Sequence, residues 1–291
     1  MSVTPPVCEE VAEGVVALIQ APGTLGLSNS VIVAEGGRGL VLDTMLLPEM
    51  SRSIVDTAAR MGTRIDTVLH SHHHVDHCGG NSVFGAARVV AHPQTVADIK
   101  QMLDNITVFD WLMPQFAGRF ADLDVRIPEP VDLQTLEIPG NGQLLVFGPS
   151  HSSQDVALWF PGPRLLLSAD LCMNGVTPLA IHGSQVGWAE TLEHLSGLKP
   201  DIVVPGHGPV TTAKTLDELR DYLLRLTATA ESAVRAGATV DEALAEFDSG
   251  PVAGWLDGER TRQNLTRAVD EARERAGYLP GVGPLGKNST D

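Results

Sequence analysis

Cysteine is scarce in this sequence, with three residues in 291 and no CxxC pair among them. The spread of Cys8, Cys78 and Cys172 excludes a disulfide framework and a thiolate zinc site, and it fits a reducing cytoplasm. Basic charge is also short: 20 Lys and Arg stand against 36 Asp and Glu, a formal net charge of −16. Without a local basic stripe, such a chain is repelled by nucleic-acid phosphates and anionic lipid, so neither nucleic acid nor membrane is an expected partner. No stretch reaches the ~20 apolar residues of a transmembrane helix. The first ten residues carry two acids and two prolines rather than a basic patch and an apolar run, so no signal peptide is expected. Of the basic residues, 16 are arginine and four lysine, and with abundant Ala, Gly and Val this points to a GC-rich bacterial genome.

What is present suits a globular α/β chain: 43% hydrophobic residues can fill one large core or two modest ones. Segments 15–19, 30–34 and 39–43 read as β-branched strands, with Glu35-Gly36-Gly37 as a hairpin turn. Segment 48–61 shifts to helical spacing, with Ile54, Val55 and Ala58 as an apolar stripe and Gly62 closing the helix. Segment 67–70 is a strand that runs straight into a histidine cluster, and 88–91 is another strand. Ile99, Met102, Leu103, Ile106, Phe109, Trp111, Leu112, Phe116 and Phe120 then lie in helices broken at Pro114 and Gly118. In the second half, 131–138, 143–147, 156–160, 164–169 and 201–204 read as strands and 188–197 as a helix. Helices follow at 216–236, 240–247 and 260–276, and the polar tail from 277 to 291 is expected to fray.

The chemistry concentrates in His70-Ser71-His72-His73-His74-Val75-Asp76-His77-Cys78-Gly79-Gly80, directly after a strand. Imidazole and carboxylate are the ligands that a borderline divalent ion such as zinc prefers. Three distant candidates also end apolar runs: His151, Asp170 and His207. Burying Asp170 unpaired would be costly, and a nearby cation is the economical partner.

The order His72-x-His74-x-Asp76-His77, His151, Asp170, His207, with separations of 74, 19 and 37 residues, resembles the signature of metallo-β-lactamase-fold hydrolases over about residues 15–210. The resemblance implies an α/β, four-layer αββα fold. A catalytic domain at 1–212 would carry a helical insertion, or lid, at about 93–125, and C-terminal helices at 213–276 would pack on the same domain. It further implies that His72, His74 and His151 hold one metal, Asp76, His77 and His207 a second, and that Asp170 bridges them. The cofactor would be two zinc ions per chain, with iron or manganese as alternatives. Asp76 would be catalytic, orienting the hydroxide or shuttling its proton. Asp43, in Val41-Leu42-Asp43-Thr44, would orient the first metal-binding loop, while Ser152 and Asp155 stand at the family's hydroxyl and acid positions after His151. A metal-bound hydroxide would attack an ester, thioester or lactone of a small hydrophobic substrate. Alternatives are a non-hydrolytic metal-dependent tailoring reaction in a biosynthetic pathway and an iron-dependent oxidoreductase.

True β-lactamases commonly put cysteine at the position of Asp170; here Cys172 lies two residues later, and the sequence resembles the hydroxyacylglutathione-hydrolase and lactonase side of the superfamily. His182, in the loop after the Asp170 strand, and Trp111 and Phe116, in an apolar roof, are candidate substrate contacts. His70 and His73 are read as non-ligands, His92 and His194 as structural, and Cys78 as packing. Arg220, Arg225, Arg260, Arg262 and Arg267 lie among acids and read as helix-surface charges. The tyrosines, Tyr222 and Tyr278, lie away from the motifs, and the C-terminal helices could supply a homodimer contact.

Overall fold

Residues 4–277 are described by a computed structural model. The expected tail, apart from Gly277, and Tyr278 with it, lies outside the described residues. The chain opens with an antiparallel meander of four strands: β1 (Val7–Ala12), β2 (Val15–Ile19), β3 (Ser30–Glu35) and β4 (Arg38–Leu42). Helix α1 (Pro48–Arg60) then crosses over to β5 (Arg64–Leu69), which pairs parallel to β4. Met61 follows the helix, and Gly62 at φ +67° supplies the left-handed residue that ends it. The short α2 (Val75–Cys78) precedes β6 (Arg88–Ala91), and α3 (Pro93–Leu103) and α4 (Phe109–Leu112) precede the two-residue β7 (Glu129–Pro130). These strands form one seven-stranded sheet in chain order.

The second sheet, ordered β11-β10-β9-β8, is built from β8 (Gln143–Phe147), β9 (Asp155–Phe160), β10 (Leu165–Met173) and β11 (Ile202–His207), with α5 (Gln185–Gly197) between the last two. Helices α6 (Ala213–Ala236), α7 (Val240–Ala245) and α8 (Thr261–Arg275) follow. None of the described helices is long and apolar enough to cross a membrane.

Period-two alternation makes the layers. On β2 to β4, Val15, Ala17, Ile19, Val31, Val33, Leu40 and Leu42 face Val156, Leu158, Phe160, Leu165 and Leu167 of the other sheet. The alternate residues Leu18, Ile32 and Val41 face outward onto α1 through Met50, Ile54 and Ala58. On the far side Ala157, Trp159 and Leu166 pack against Trp188 and Leu192 of α5 and Leu219 and Leu223 of α6. Both sheets are therefore buried on both faces, giving helix, sheet, sheet, helix: the four-layer αββα arrangement that the resemblance implies.

One expectation is corrected and one strand is added. Segment 131–138 is not a strand: a single 3₁₀ turn occupies Leu133–Thr135, nucleated by the Asp132 carboxylate accepting from Gln134 N at 3.0 Å. Strand β1 has no counterpart in the sequence reading, because its pattern is that of an exposed edge, with Val7 56% accessible and Glu9 and Glu10 on it.

Candidate metal centre

The first loop leaves the sheet at the end of β5. The chain bends through Ser71, His72 and His73 and is extended at His74, where α2 begins, so Asp76 and His77 project from a helical turn while His72 and His74 approach from the strand end. Gly79 and Gly80 are dictated by close approach: a Cβ at Gly79 would lie 1.9 Å from the Leu46 carbonyl oxygen, and one at Gly80 1.6 Å from Ser51 Oγ. Asp43 follows β4 in a left-handed conformation, φ 62°, and stands behind the loop. It accepts from Ser71 N at 2.8 Å, Ser71 Oγ at 2.6 Å and His77 Nδ1 at 2.8 Å. Since Ser71 Oγ donates to Asp43, the 2.9 Å contact with His72 is donated by His72 Nδ1–H. One carboxylate thus orients two imidazoles, His77 directly and His72 through Ser71, with both Nε2 atoms facing Asp170.

His151 sits between β8 and β9, in a turn where Ser152 donates through N and Oγ to Asp155, each at 2.9 Å. Its ring meets Trp188 edge to face, 4.8 Å between centroids, and Trp188 Nε1 donates to Leu171 O at 3.0 Å. Asp170 lies in β10 where the pairing with β11 slips, after Ala169 at φ 45°. Such an irregularity re-aims a side chain out of the strand's alternation. Gly206 on β11 is required beside it, since a Cβ there would come within 1.9 Å of Asp170 Oδ1. His207 ends β11 and donates from Nδ1 to Gly23 O at 2.9 Å.

These elements bring all seven expected ligand residues together, in two groups of possible ligand atoms: His72, His74, His151 and Asp170, and Asp76, His77 and His207. His74 Nδ1 is 2.9 Å from His72 Nε2 and 3.0 Å from His151 Nε2. Asp170 Oδ2 is 3.7 Å from His72 Nε2 and 3.3 Å from His151 Nε2, whereas Oδ1 is 3.1 Å from His77 Nε2 and 3.6 Å from His207 Nε2. Asp76 Oδ2 lies 3.4 Å from His207 Nε2 and accepts from Gly26 N at 3.2 Å. Four ligands around a tetrahedral ion at ~2.0–2.1 Å are ~3.3 Å apart, so both groups have the spacing of a coordination shell. His77 Nε2 and Asp170 Oδ1 are buried and face each other at 3.1 Å without hydrogen-bond geometry, as ligand atoms that share a cation would.

Charge divides the cluster. Burial pushes His72 and His74 well below the usual imidazole range, and neighbouring His77 and His72 respectively push the same way, so both stay neutral. Burial also opposes charge on His77 and His207, but Asp170, with Asp43 for His77 and Asp76 for His207, overrides it and pushes both upward. Against the penalty of burial, His77 and His70 hold the Asp43 carboxyl well below its usual range. Asp170 is likewise held down by His77 and His207 in spite of its burial.

Beside the cluster opens a cavity of about 640 Å³, lined by His74, Asp76, His151, Asp170 and His207 and, on its apolar side, by Leu25, Phe109, Met113 and Leu179. His182 lines it and places Nδ1 2.8 Å from His74 Nε2. Trp111 lines it too, 79% accessible. Phe116 is not brought to the cavity: it packs into the cluster on the outer face of the first sheet, where a Cβ on Gly26 would meet its ring at 2.7 Å. His73 lines the cavity, its ring 5.5 Å from that of His182, and burial draws it down to about 4. His70 is fully buried, 3.6 Å from Asp43, and belongs to neither ligand group. His92 caps α3, accepting from Gln94 N, and Cys78 is buried, its thiol pushed up beyond reactivity by desolvation.

Three supports escaped the sequence reading. The 22–29 loop gives Gly23 O to His207, Gly26 N to Asp76 and Ser28 Oγ to Asp76 O, and Asn29 Nδ2 donates to Pro205 O and Gly208 O. Trp188 packs His151. Arg260, read as a surface charge, is 7% accessible and lines the cavity, because the turn before α8 folds back over the site.

Residues 23–207 match the family model of the metallo-beta-lactamase superfamily, and the chain belongs to that superfamily. The 2,4-dinitroanisole O-demethylase subunit alpha of Nocardioides sp. (strain JS1661) is 26% identical over 217 residues, 72% of this chain and 62% of the relative. The hydroxyacylglutathione hydrolase of Nitrosococcus oceani is 27% identical over 155 residues, 52% and 51% of the two chains. The chain thus spans between half and two thirds of the length of these curated relatives. In fold it is similar to a metallo-beta-lactamase family protein of Thermus thermophilus, with a TM-score of 0.69 at 20% identity over 94% of this chain and 98% of that one.

Proposed function

We propose that the chain is a metal-dependent hydrolase that cleaves an ester, thioester or lactone of a small, largely apolar substrate at a two-metal centre. The observation that carries this reading is the division of Asp170: one oxygen faces His72 and His151, the other His77 and His207. A buried carboxylate so shared is suited to bridge two cations. His72, His74 and His151 would hold one, and Asp76, His77 and His207 the other. The nitrogen-rich donor set favours zinc. When bound, the metal pair would activate water as a nucleophile and polarise the substrate carbonyl.

The chain's own residues do the rest. Asp76, on the cavity floor with Oδ2 held by Gly26 N–H, takes the proton of the attacking water and delivers it to the leaving oxygen or sulfur. A carbon–oxygen bond forms and the acyl bond breaks, giving an acid and an alcohol or thiol. His74, with Nδ1 in the ligand group, carries its proton on Nε2 and donates it to His182 Nδ1. His182 Nε2 then holds the N–H, a donor in the cavity wall. Leu25, Phe109 and Met113 keep the reacting bond dry and select an apolar acyl body. The name of the hydrolase relative supports an acyl substrate, and that of the O-demethylase relative makes 2,4-dinitroanisole worth including as a probe.

The test is removal of metal with dipicolinate, reconstitution with zinc or iron(II), and assay on ester, thioester and lactone panels plus 2,4-dinitroanisole in ¹⁸O-water. Zinc-restored turnover with ¹⁸O in the acid product supports the reading. Full activity in chelated protein overturns it, and iron-specific oxygen uptake replaces it with the oxidoreductase.

A further inference from the structure

Arg260 is the sole arginine or lysine lining the cavity among the described residues, in a chain of net charge −16. It comes from the turn before α8, beyond the residues that match the superfamily model. Two partners fix its fork: Nη1 donates to Thr177 O at 2.8 Å, and Nη2 pairs with Asp257. A guanidinium offers five N–H donors, so these two bonds leave donors over on a group that is nearly buried. Burial draws its proton affinity down while Asp257, Asp76, Glu259 and Asp170 push it up, which places the group within the field of the metal cluster. An additional anion would relieve a desolvated cation and use the remaining donors in the planar geometry that guanidinium and carboxylate share. Asp98, which lines the cavity near His73 and His182, discourages an anion there.

The cavity is therefore lined by the polar ligand cluster, by Arg260 and by apolar side chains that include Leu25, Met173 and Leu179. The reacting bond belongs at the ligand cluster, and Leu25, whose N–H donates to the Asp257 that pairs with Arg260, ties this apolar lining to the guanidinium. We propose that Arg260 docks a carboxylate borne by the substrate, so that the acyl compound cleaved here carries an anionic group in addition to the scissile ester, thioester or lactone. This rests on the hydrolase reading and narrows its substrate class.

The test uses matched pairs with zinc-loaded protein: the mono-4-nitrophenyl esters of adipate, pimelate and suberate against 4-nitrophenyl hexanoate, heptanoate and octanoate. In at least one pair, wild type is expected to prefer the anionic ester by about 10-fold or more in kcat/KM, the size of one charge-assisted hydrogen-bonded contact. Most of the difference should appear in KM. Arg260→Gln should bring that ratio near one, and Arg260→Lys should restore part of it. Equal use of both members by wild type in all pairs overturns the proposal. So does a ratio that survives Arg260→Gln however far both rates fall, since a mere prop for the Thr177 loop would depress both esters alike. If none of these esters is turned over, the thioester and lactone panels decide the hydrolase reading separately, and calorimetric binding decides the role of Arg260. Adipate, pimelate or suberate binding more tightly than the matching monoacid, with the difference lost in Arg260→Gln, upholds the proposal, and equal binding refutes it.

Discussion

The two halves of the ligand cluster are built differently. In the Asp76, His77, His207 half every proposed ligand is braced by a fixed partner: Gly26 N–H holds Asp76, Asp43 holds His77, and Gly23 O holds His207. In the His72, His74, His151 half, His72 is braced through Ser71, but His74 leans on the exposed His182 and His151 Nδ1 has no hydrogen-bond partner. Charge differs in parallel, with His77 and His207 pushed up and His72 and His74 pushed down. One half is more rigidly braced and would compete with protons for a metal; in the other, more adaptable half, His72 and His74 are neutral. Asp170 is the one side chain common to both.

Removing that link should have the largest effect. Asp170→Ala is expected to cost at least about 10³-fold in kcat, roughly 4 kcal/mol of transition-state stabilisation, and to lower metal content measured by mass spectrometry; two metals retained at full activity would break the picture of a shared carboxylate. Next, the bracing can be removed from each half in turn. Asp43→Asn should weaken metal binding about 10- to 100-fold, and His182→Phe by no more than about 10-fold, both read by chelator competition. Equal losses would remove the distinction between rigid and adaptable halves.

Acid should act unequally as well. Because Asp170 and its neighbours raise His77 and His207, metal entering their half must displace protons. Its affinity should fall by up to about tenfold per pH unit for each proton displaced, and proton release should be visible by calorimetry in two buffers. The other half, with His72 and His74 already neutral, should be much flatter near neutrality. The smallest effect concerns the turn that carries His151. Burial raises the Asp155 carboxyl to about 6, above its unfolded value, so its contribution to stability is complete below about pH 4 and lost as pH rises through 6. Its upper bound is about 3 kcal/mol. Asp155→Asn should flatten this part of the pH dependence in thermal melts of chelated protein, and an unchanged profile would assign it elsewhere.

The seven residues that the structure brings together were legible in the sequence because each is a side chain of distinctive chemistry close to the end of an apolar run. Strands β2 to β4, as β-branched runs, and the Gly62 stop of α1 were legible for similarly local reasons. What escaped has no local signature. The 22–29 loop works chiefly through backbone groups, Gly23 O and Gly26 N, which any residue type carries. Arg260 sits among acids in sequence, and only the return of the chain over the site turns a surface-like charge into a cavity wall. Phe116 shows the converse: an aromatic in the right segment, three residues from the cavity-lining Met113, faces the core.

The most direct test of the two-half centre is a stepwise zinc titration of chelated protein, with bound metal and ester hydrolysis followed together. The account predicts two zinc ions per chain and a rise in turnover that requires both. Saturation at one ion with full activity, or hydrolysis before any ion is bound, would contradict it.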